Sequence, residues 1–219
     1  MARIARVVAE HYPHHITQRG NRRQETFFCT DDYRNYIQLM SEWCNRCGVQ
    51  IWAYCLMPNH VHLIAVPESE DGLRRGIGEA HRRYTRLINF REQWKGHLWQ
   101  GRFSSFLLDE NYLLAATRYV ELNPVKAGLS SVPEEYLWSS AKAHLEGRDD
   151  ALVTVKPLLD LVNNWRRFLS GDVSAKEYEL FQRHERTGRP LGDTRFTQDM
   201  EQKLGRILTP QKGGRPKSV

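Results

Sequence analysis

Residues 57–62 read Met-Pro-Asn-His-Val-His, and Tyr119 and Asn123 follow further along the chain. Together these types can act on a phosphodiester. Alternate side chains of a strand share a face, so His60 and His62 point the same way. Two neutral imidazoles on one face can hold a divalent cation. Residues four apart on a helix also share a face, which pairs Tyr119 with Asn123. Tyr119 brings a hydroxyl nucleophile. Its solution pKa is about 10, so it attacks phosphorus only where a cation polarises the phosphodiester and a neighbour helps remove the proton. Asn123 brings an amide oxygen, a ligand for a hard cation such as Mg²⁺ or Mn²⁺. Such a set carries no formal charge and leaves the cation fully positive toward a phosphate.

Each residue also has a plainer reading. Strands contain histidines for many reasons, and a catalytic zinc site would want a third His or a carboxylate. The acids nearest in sequence, from Glu68 on, lie past the end of that strand. Tyr119 fits a core aromatic on an amphipathic helix, with Tyr112 its rival on nearly the same face. Asn123 fits a helix end before Pro124. Cys44-x-x-Cys47 lies in a helix-like stretch with no second pair at useful spacing, so it reads as ordinary thiols.

The pattern places these residues on definite elements. His14–Arg19 is β-compatible, Gly20-Asn21 breaks it, and Thr26–Cys29 is the next strand-like piece. Asp31-Asp32 caps a helix running to about Cys47, with Tyr33, Tyr36, Ile37 and Met40 at helical spacing. Val49–Leu56 is a strand, Met57-Pro58-Asn59 a turn and His60–Val66 the returning strand. Gly72 to about Phe90 is a basic helix and Phe103–Leu108 a strand. Asp109 or Asn111 caps a helix to about Leu122, limited by Pro124, which leaves Asn123 in its final turn. The order β-α-β-β-α-β-α predicts an α+β, ferredoxin-like antiparallel sheet with helices on one face, an added nucleophile helix, and the histidines on a central strand. Beyond Gly128, Pro133–His144 reads as a turn and short helix, and Leu152–Leu169 as helical with a break at Pro157. Ser174–Arg186 reads as a helix, and one more follows before a Gly/Pro/Lys-rich end. The expected organisation is a catalytic domain over 1–130, a helical extension over 131–186 and a basic tail over 187–219.

The chain of 219 residues is 40% apolar, enough for a real core, with no apolar run of membrane-spanning length and no long apolar leader. Four cysteines (Cys29, Cys44, Cys47, Cys55) suit a reduced compartment, so a cytoplasmic location is expected. The net charge of +6 is gathered into blocks. Residues 1–23, 72–106 and 183–219 carry +4, +6 and +5, while 24–71 and 107–182 carry −5 and −4. Three separate basic blocks suit a polyanion touched by several surfaces, or three solvated faces.

YCLMPNHVHLI (54–64), WQGRFSSFLLDENYLLAATRYVELNPVKAGL (99–129) and YPHHITQRGNRRQETFF (12–28) resemble the single-tyrosine transposases of the HUH nuclease superfamily. The match is to their REP-associated branch and spans about residues 1–145. The resemblance implies a bacterial, nucleoid-associated enzyme acting on single-stranded DNA beside a hairpin. It makes His60 and His62 the metal pair, Asn123 the third ligand and Tyr119 the nucleophile that forms a 5′-phosphotyrosine. Arg19, Asn21, Arg22 and Arg23 match a region that reads a short single strand next to the hairpin. Arg82, Arg83 and Arg102 then become phosphate contacts, and Trp94 and Trp99 candidates to stack on bases, packing in the core being their plainer role. Arg215, in a terminal Gly-Arg-Pro, is an expected auxiliary DNA contact. Relatives include both monomers and homodimers. A hairpin-binding regulator without chemistry is the alternative function.

Overall fold

The computed structural model describes residues 4–210, so Arg215 and its Gly-Arg-Pro lie outside the described residues. Four strands, β1 (His14–Arg19), β2 (Val49–Met57), β3 (His60–Pro67) and β4 (Ser104–Leu107), form one antiparallel sheet in the order β2-β3-β1-β4. This is the ferredoxin-like arrangement, with β3 and β1 central. A two-residue turn, Pro58-Asn59, joins β2 to β3, since Met57 pairs with His60. In register, Thr17 lies opposite His62 and Arg19 opposite His60.

Helices cover both faces of the sheet rather than the one face expected. α1 (Thr30–Arg46) and α2 (Gly72–Arg91) pack Tyr36, Met40, Ile77 and Tyr84 against Ile16, Val61, Leu63 and Ala65. α3 (Glu110–Lys126) packs Leu113, Ala116, Tyr119 and Val120 against Cys55, Met57, Ile64 and Phe106 on the other face. The physical reason is the strand composition: both alternating sets are apolar, so both need cover.

Two local expectations fail for identifiable reasons. Thr26–Cys29 is not a strand, because Thr26 and Phe27 both donate their N–H to the one carbonyl of Pro58 at the hairpin tip. The helix carrying Tyr119 passes Pro124 and ends at Lys126. Proline removes a single N–H, and the carbonyls of Asn123, Pro124 and Val125 are taken up by Ala127, Leu129 and Gly128. Gly128, with φ of 70°, then stops it. Asn123 still opens the final turn. Asp109, not Asn111, is the cap, accepting the Tyr112 N–H.

Past α3 come α4 (Ala141–Glu146), α5 (Lys156–Leu159), α6 (Trp165–Leu169), α7 (Ala175–Thr187) and α8 (Thr194–Leu204). The expected helix over 152–169 is two short ones, with Pro157 in the first turn of α5. Ser174 and Glu177 form a reciprocal cap on α7. The segment after α7 returns to the sheet, where Leu191 bridges Leu108 beside β4. None of the described helices is long and apolar enough to cross a membrane.

Candidate active site

The face of β3 and β1 that meets α3 carries a line of side chains from both strands. His60 and His62 project from β3, and Arg19, Thr17 and His15 from β1. His62 lies at the centre. Its ring stacks on His15 with centroids 5.3 Å apart and meets His60 edge-on at 4.9 Å. From α3, the Tyr119 ring stands perpendicular to His62 at 5.4 Å and to His15 at 5.9 Å. Asn123, one turn on, hydrogen-bonds Tyr119. The hairpin strand and the α3 helix, 57 residues apart from His62 to Tyr119, therefore meet in one site.

All three imidazoles are neutral. Burial pulls His15 down to about 3, and burial with the nearby Arg19 cation pulls His60 to about 3. His62 falls well below the ordinary value through burial, aided by His60, His15 and Arg19. Neutral imidazole is the form that ligates a metal. The free nitrogens follow from the partners. His60 Nδ1 lies 2.6 Å from Asn59 Oδ1, and His62 Nδ1 lies 3.1 Å from His15 Nε2. When each Nδ1 carries the proton, both Nε2 atoms are left as lone-pair donors. His62 Nε2 is buried with no hydrogen-bond partner. A buried polar atom without a partner is costly, and here a cation would satisfy it. Asn123 can give its N–H to the phenol oxygen of Tyr119 and keep its carbonyl oxygen for the same cation. Among the described residues no group of three His, Cys, Asp or Glu side chains could hold a metal ion. The donor set is thus two imidazole nitrogens and an amide oxygen, which suits Mn²⁺ better than the oxygen-seeking Mg²⁺.

The site opens into a cleft of about 630 Å³ between the sheet and α7. Arg19, Arg23 and Lys126 make one wall basic, and α7 supplies Tyr178, Glu185 and Arg186. Tyr119 is only 6% exposed, because Tyr178 and Phe181 lie over its ring at 5.5 and 5.2 Å. Burial holds the phenol above its usual pKa, reinforced by Tyr178 and Glu185, while Asn123 and Arg19 oppose the rise.

The expected DNA contacts divide. Arg19 and Arg23 line this cleft. Asn21 and Arg22 sit beside them in a short 3₁₀ turn (Asn21–Arg23) whose Arg22 and Arg23 hold positive φ angles of 54° and 64°. Gly20 makes the turn possible, since a Cβ there would meet the Gln24 carbonyl at 2.2 Å. Arg82 and Arg83 are elsewhere, exposed on α2 and both bound to Glu79, and Arg102 lies in the loop before β4. Trp94 is 43% exposed against Phe28, whereas Trp99 is buried. The sequence reading missed His15, Lys126 and the α7 cover. The doubled His14-His15 was visible, but its partner depends on strand register.

A ferredoxin-like sheet with paired histidines on a central strand and a tyrosine helix across from them defines a DNA-processing class of fold and site. A family model described as "Transposase IS200 like" matches residues 8–123, and the chain belongs to that family. A Haemophilus influenzae protein named for the REP-associated tyrosine transposases is 26% identical over 124 residues, covering 52% of this chain and 70% of the relative. The solved structure of a REP-associated tyrosine transposase bound to a REP hairpin superposes with a TM-score of 0.56 at 18% identity, covering 80% of this chain and 94% of that one. That likeness speaks for the fold.

Proposed function

We propose that this transposase is a metal-dependent single-strand DNA endonuclease and strand transferase acting beside a DNA hairpin. The observation that carries the reading is Tyr119 standing edge-on to the neutral His62, with His60 and Asn123 alongside. Tyr119 Oη attacks the scissile phosphorus, forming a P–O bond as the bond to the 3′-oxygen breaks. The products are a 5′-phosphotyrosine and a free 3′-hydroxyl, which takes up the proton the phenol gives up. A second 3′-hydroxyl can reverse the step, so the bond energy is kept without a nucleotide cofactor.

A divalent cation bound by His60, His62 and Asn123 supplies Lewis-acid polarisation of the phosphate and stabilises the leaving oxygen. Arg19 favours the phenolate electrostatically, and with Arg23 and Lys126 it draws the DNA backbone into the cleft. His15 fixes the His62 tautomer. All these residues come from one chain, which supports a monomer carrying a whole site. In this reading residues 1–130 hold the chemistry, the extension covers it, and Arg215 adds a DNA contact.

The test is cleavage of 5′- and 3′-labelled hairpin oligonucleotides with Mn²⁺ or Mg²⁺, comparing the natural chain with Tyr119→Phe on a denaturing gel. A covalent protein–DNA band absent from the variant supports the nuclease. The alternative, a hairpin-binding regulator, draws on the cover over Tyr119. Tight binding with no covalent band under either cation would select it.

A further inference from the structure

A second cavity, of about 330 Å³, lies on the α2 side of the sheet. His81, Trp99 and Phe103 form its apolar part, and Arg74, Arg82 and Arg102 its basic rim. No Asp or Glu lines it. Two of its ring nitrogens, His81 Nδ1 and Trp99 Nε1, are buried and have no hydrogen-bond partner. Their rings lie 5.0 Å apart, with Phe103 6.0 Å from His81. In ordinary packing such nitrogens find a partner, so two together in a cavity wall point to a ligand.

The proton on His81 can be placed. Its Nε2 lies 2.8 Å from the hydroxyl of Tyr36, which is fully buried. The Tyr36 hydrogen has no other acceptor, so it goes to Nε2. Burial, with a smaller push from Arg6, lowers His81 to about 3, so the ring is neutral and its one proton sits on Nδ1. Both unpartnered nitrogens are then N–H donors, and the arginines of the rim also only donate. An aromatic wall with converging donors suits a flat ring that presents acceptors. Of the four bases, guanine alone offers two adjacent acceptors, N7 and O6, on one edge, whereas adenine sets an amino group beside its N7.

The cavity joins the candidate active site through the end of β1. Arg19 lines the cleft, while Gln18, its neighbour, lines the cavity and donates to the Gly101 carbonyl at 2.9 Å. Gly20 bridges Trp99, and the Gln100 N–H reaches the Arg19 carbonyl at 2.8 Å. One strand of DNA crossing this end of the sheet meets both places.

We propose that this cavity is a reading pocket for an unpaired guanine, held by stacking against the aromatic wall and by the His81 and Trp99 N–H donors, with Arg102, Arg82 and Arg74 on the flanking phosphates. This rests on the reading of the chain as a single-strand DNA enzyme, and deepens it by naming a base.

The experiment is fluorescence anisotropy with the full chain in EDTA, so that no cleavage intervenes. The probes are a labelled oligothymidylate and the same strand with one central guanine, adenine, cytosine or 7-deazaguanine. One guanine should tighten binding about tenfold, and 7-deazaguanine, lacking N7, should lose most of that gain. Trp99→Phe keeps the ring but not the N–H, and should lose the guanine gain while binding plain oligothymidylate normally. Equal affinity for every base, full binding of 7-deazaguanine, or a guanine gain that survives in a folded Trp99→Phe protein would each overturn the pocket. The 7-deazaguanine arm needs no protein variant, so misfolding cannot obscure it. Base preference without any phosphotyrosine would sink the nuclease reading and leave the pocket standing, and the reverse result would do the opposite.

Discussion

The chain buries histidine in two clusters around one helix, and the two are finished differently. Tyr119 turns one side of α3 toward His15 and His62. Glu121, two residues on and so on the opposite side, turns toward His144. There the carboxylate takes His144 Nδ1 at 2.6 Å, the Ser140 hydroxyl at 2.5 Å and the Trp165 N–H at 2.9 Å, and the imidazole stacks on Trp165 at 4.2 Å. Both carboxylate oxygens are used, and nothing from the cluster lines the cleft. The sheet-side cluster has no carboxylate at all, and His62 Nε2 is left open next to a basic cleft. A buried histidine tied to an acid is bracing. One that leans only on another histidine beside a cleft is poised to bind something.

The comparison can be broken most sharply at Tyr119. Tyr119→Phe should abolish the covalent DNA adduct while costing no more than about 1 kcal/mol of stability, the value of one hydrogen bond. Adduct formation and urea unfolding measured on one preparation settle both halves. Glu121→Ala should do the reverse. It strands three buried donors and should cost about 3–5 kcal/mol in urea unfolding, with the adduct still formed by whatever fraction remains folded. A drop below about 1 kcal/mol would show that this cluster is not bracing.

His15→Phe sharpens the other side. The ring volume stays, but His62 loses the group that fixes its tautomer. Mn²⁺ affinity by calorimetry should fall about 10–100-fold with little change in unfolding. Unchanged affinity would remove His15 from the site.

The smallest effect belongs to Asp32, a fully buried carboxylate that accepts from the Phe28 and Cys29 N–H groups and from Arg91. Burial alone would raise its pKa, but Arg91 and the two N–H groups outweigh it, and the net value lies below the usual range. A depressed folded pKa means its stabilisation is present above the unfolded value, about 4, and is lost as pH falls through the folded value. Asp32→Asn should cost about 1–2 kcal/mol at pH 7, and the gap from the natural chain should close toward pH 2. A gap that stays constant with pH would show that the charge is irrelevant.

Much of this was legible in the residues. Strand alternation put His60 and His62 on one face, helical spacing paired Tyr119 with Asn123, and the order of elements gave the sheet. Other parts depend on distant contacts that local pattern does not encode. His15 meets His62 only because β1 and β3 pair in one register. Tyr178 and Phe181 belong to a helix whose amphipathic face was plain but whose partner was not. Pro124 looked like a stop, yet the carbonyls around it found other donors. Thr26–Cys29 had strand-forming residues but no neighbouring ladder to join.

Asn59 at the hairpin tip uses both ends of its amide. Its oxygen faces His60 Nδ1 at 2.6 Å, and its nitrogen donates to the Arg23 carbonyl at 3.2 Å. Arg23 sits in the strained left-handed turn, so this one side chain links a tense loop to the protonation pattern of a metal-facing ring. Pulling on the loop from outside, as a nucleic acid seated on its arginines would, tugs directly on the imidazole. Asn59 is then a mechanical relay: what grips the arginine turn also sets how firmly His60 is aimed.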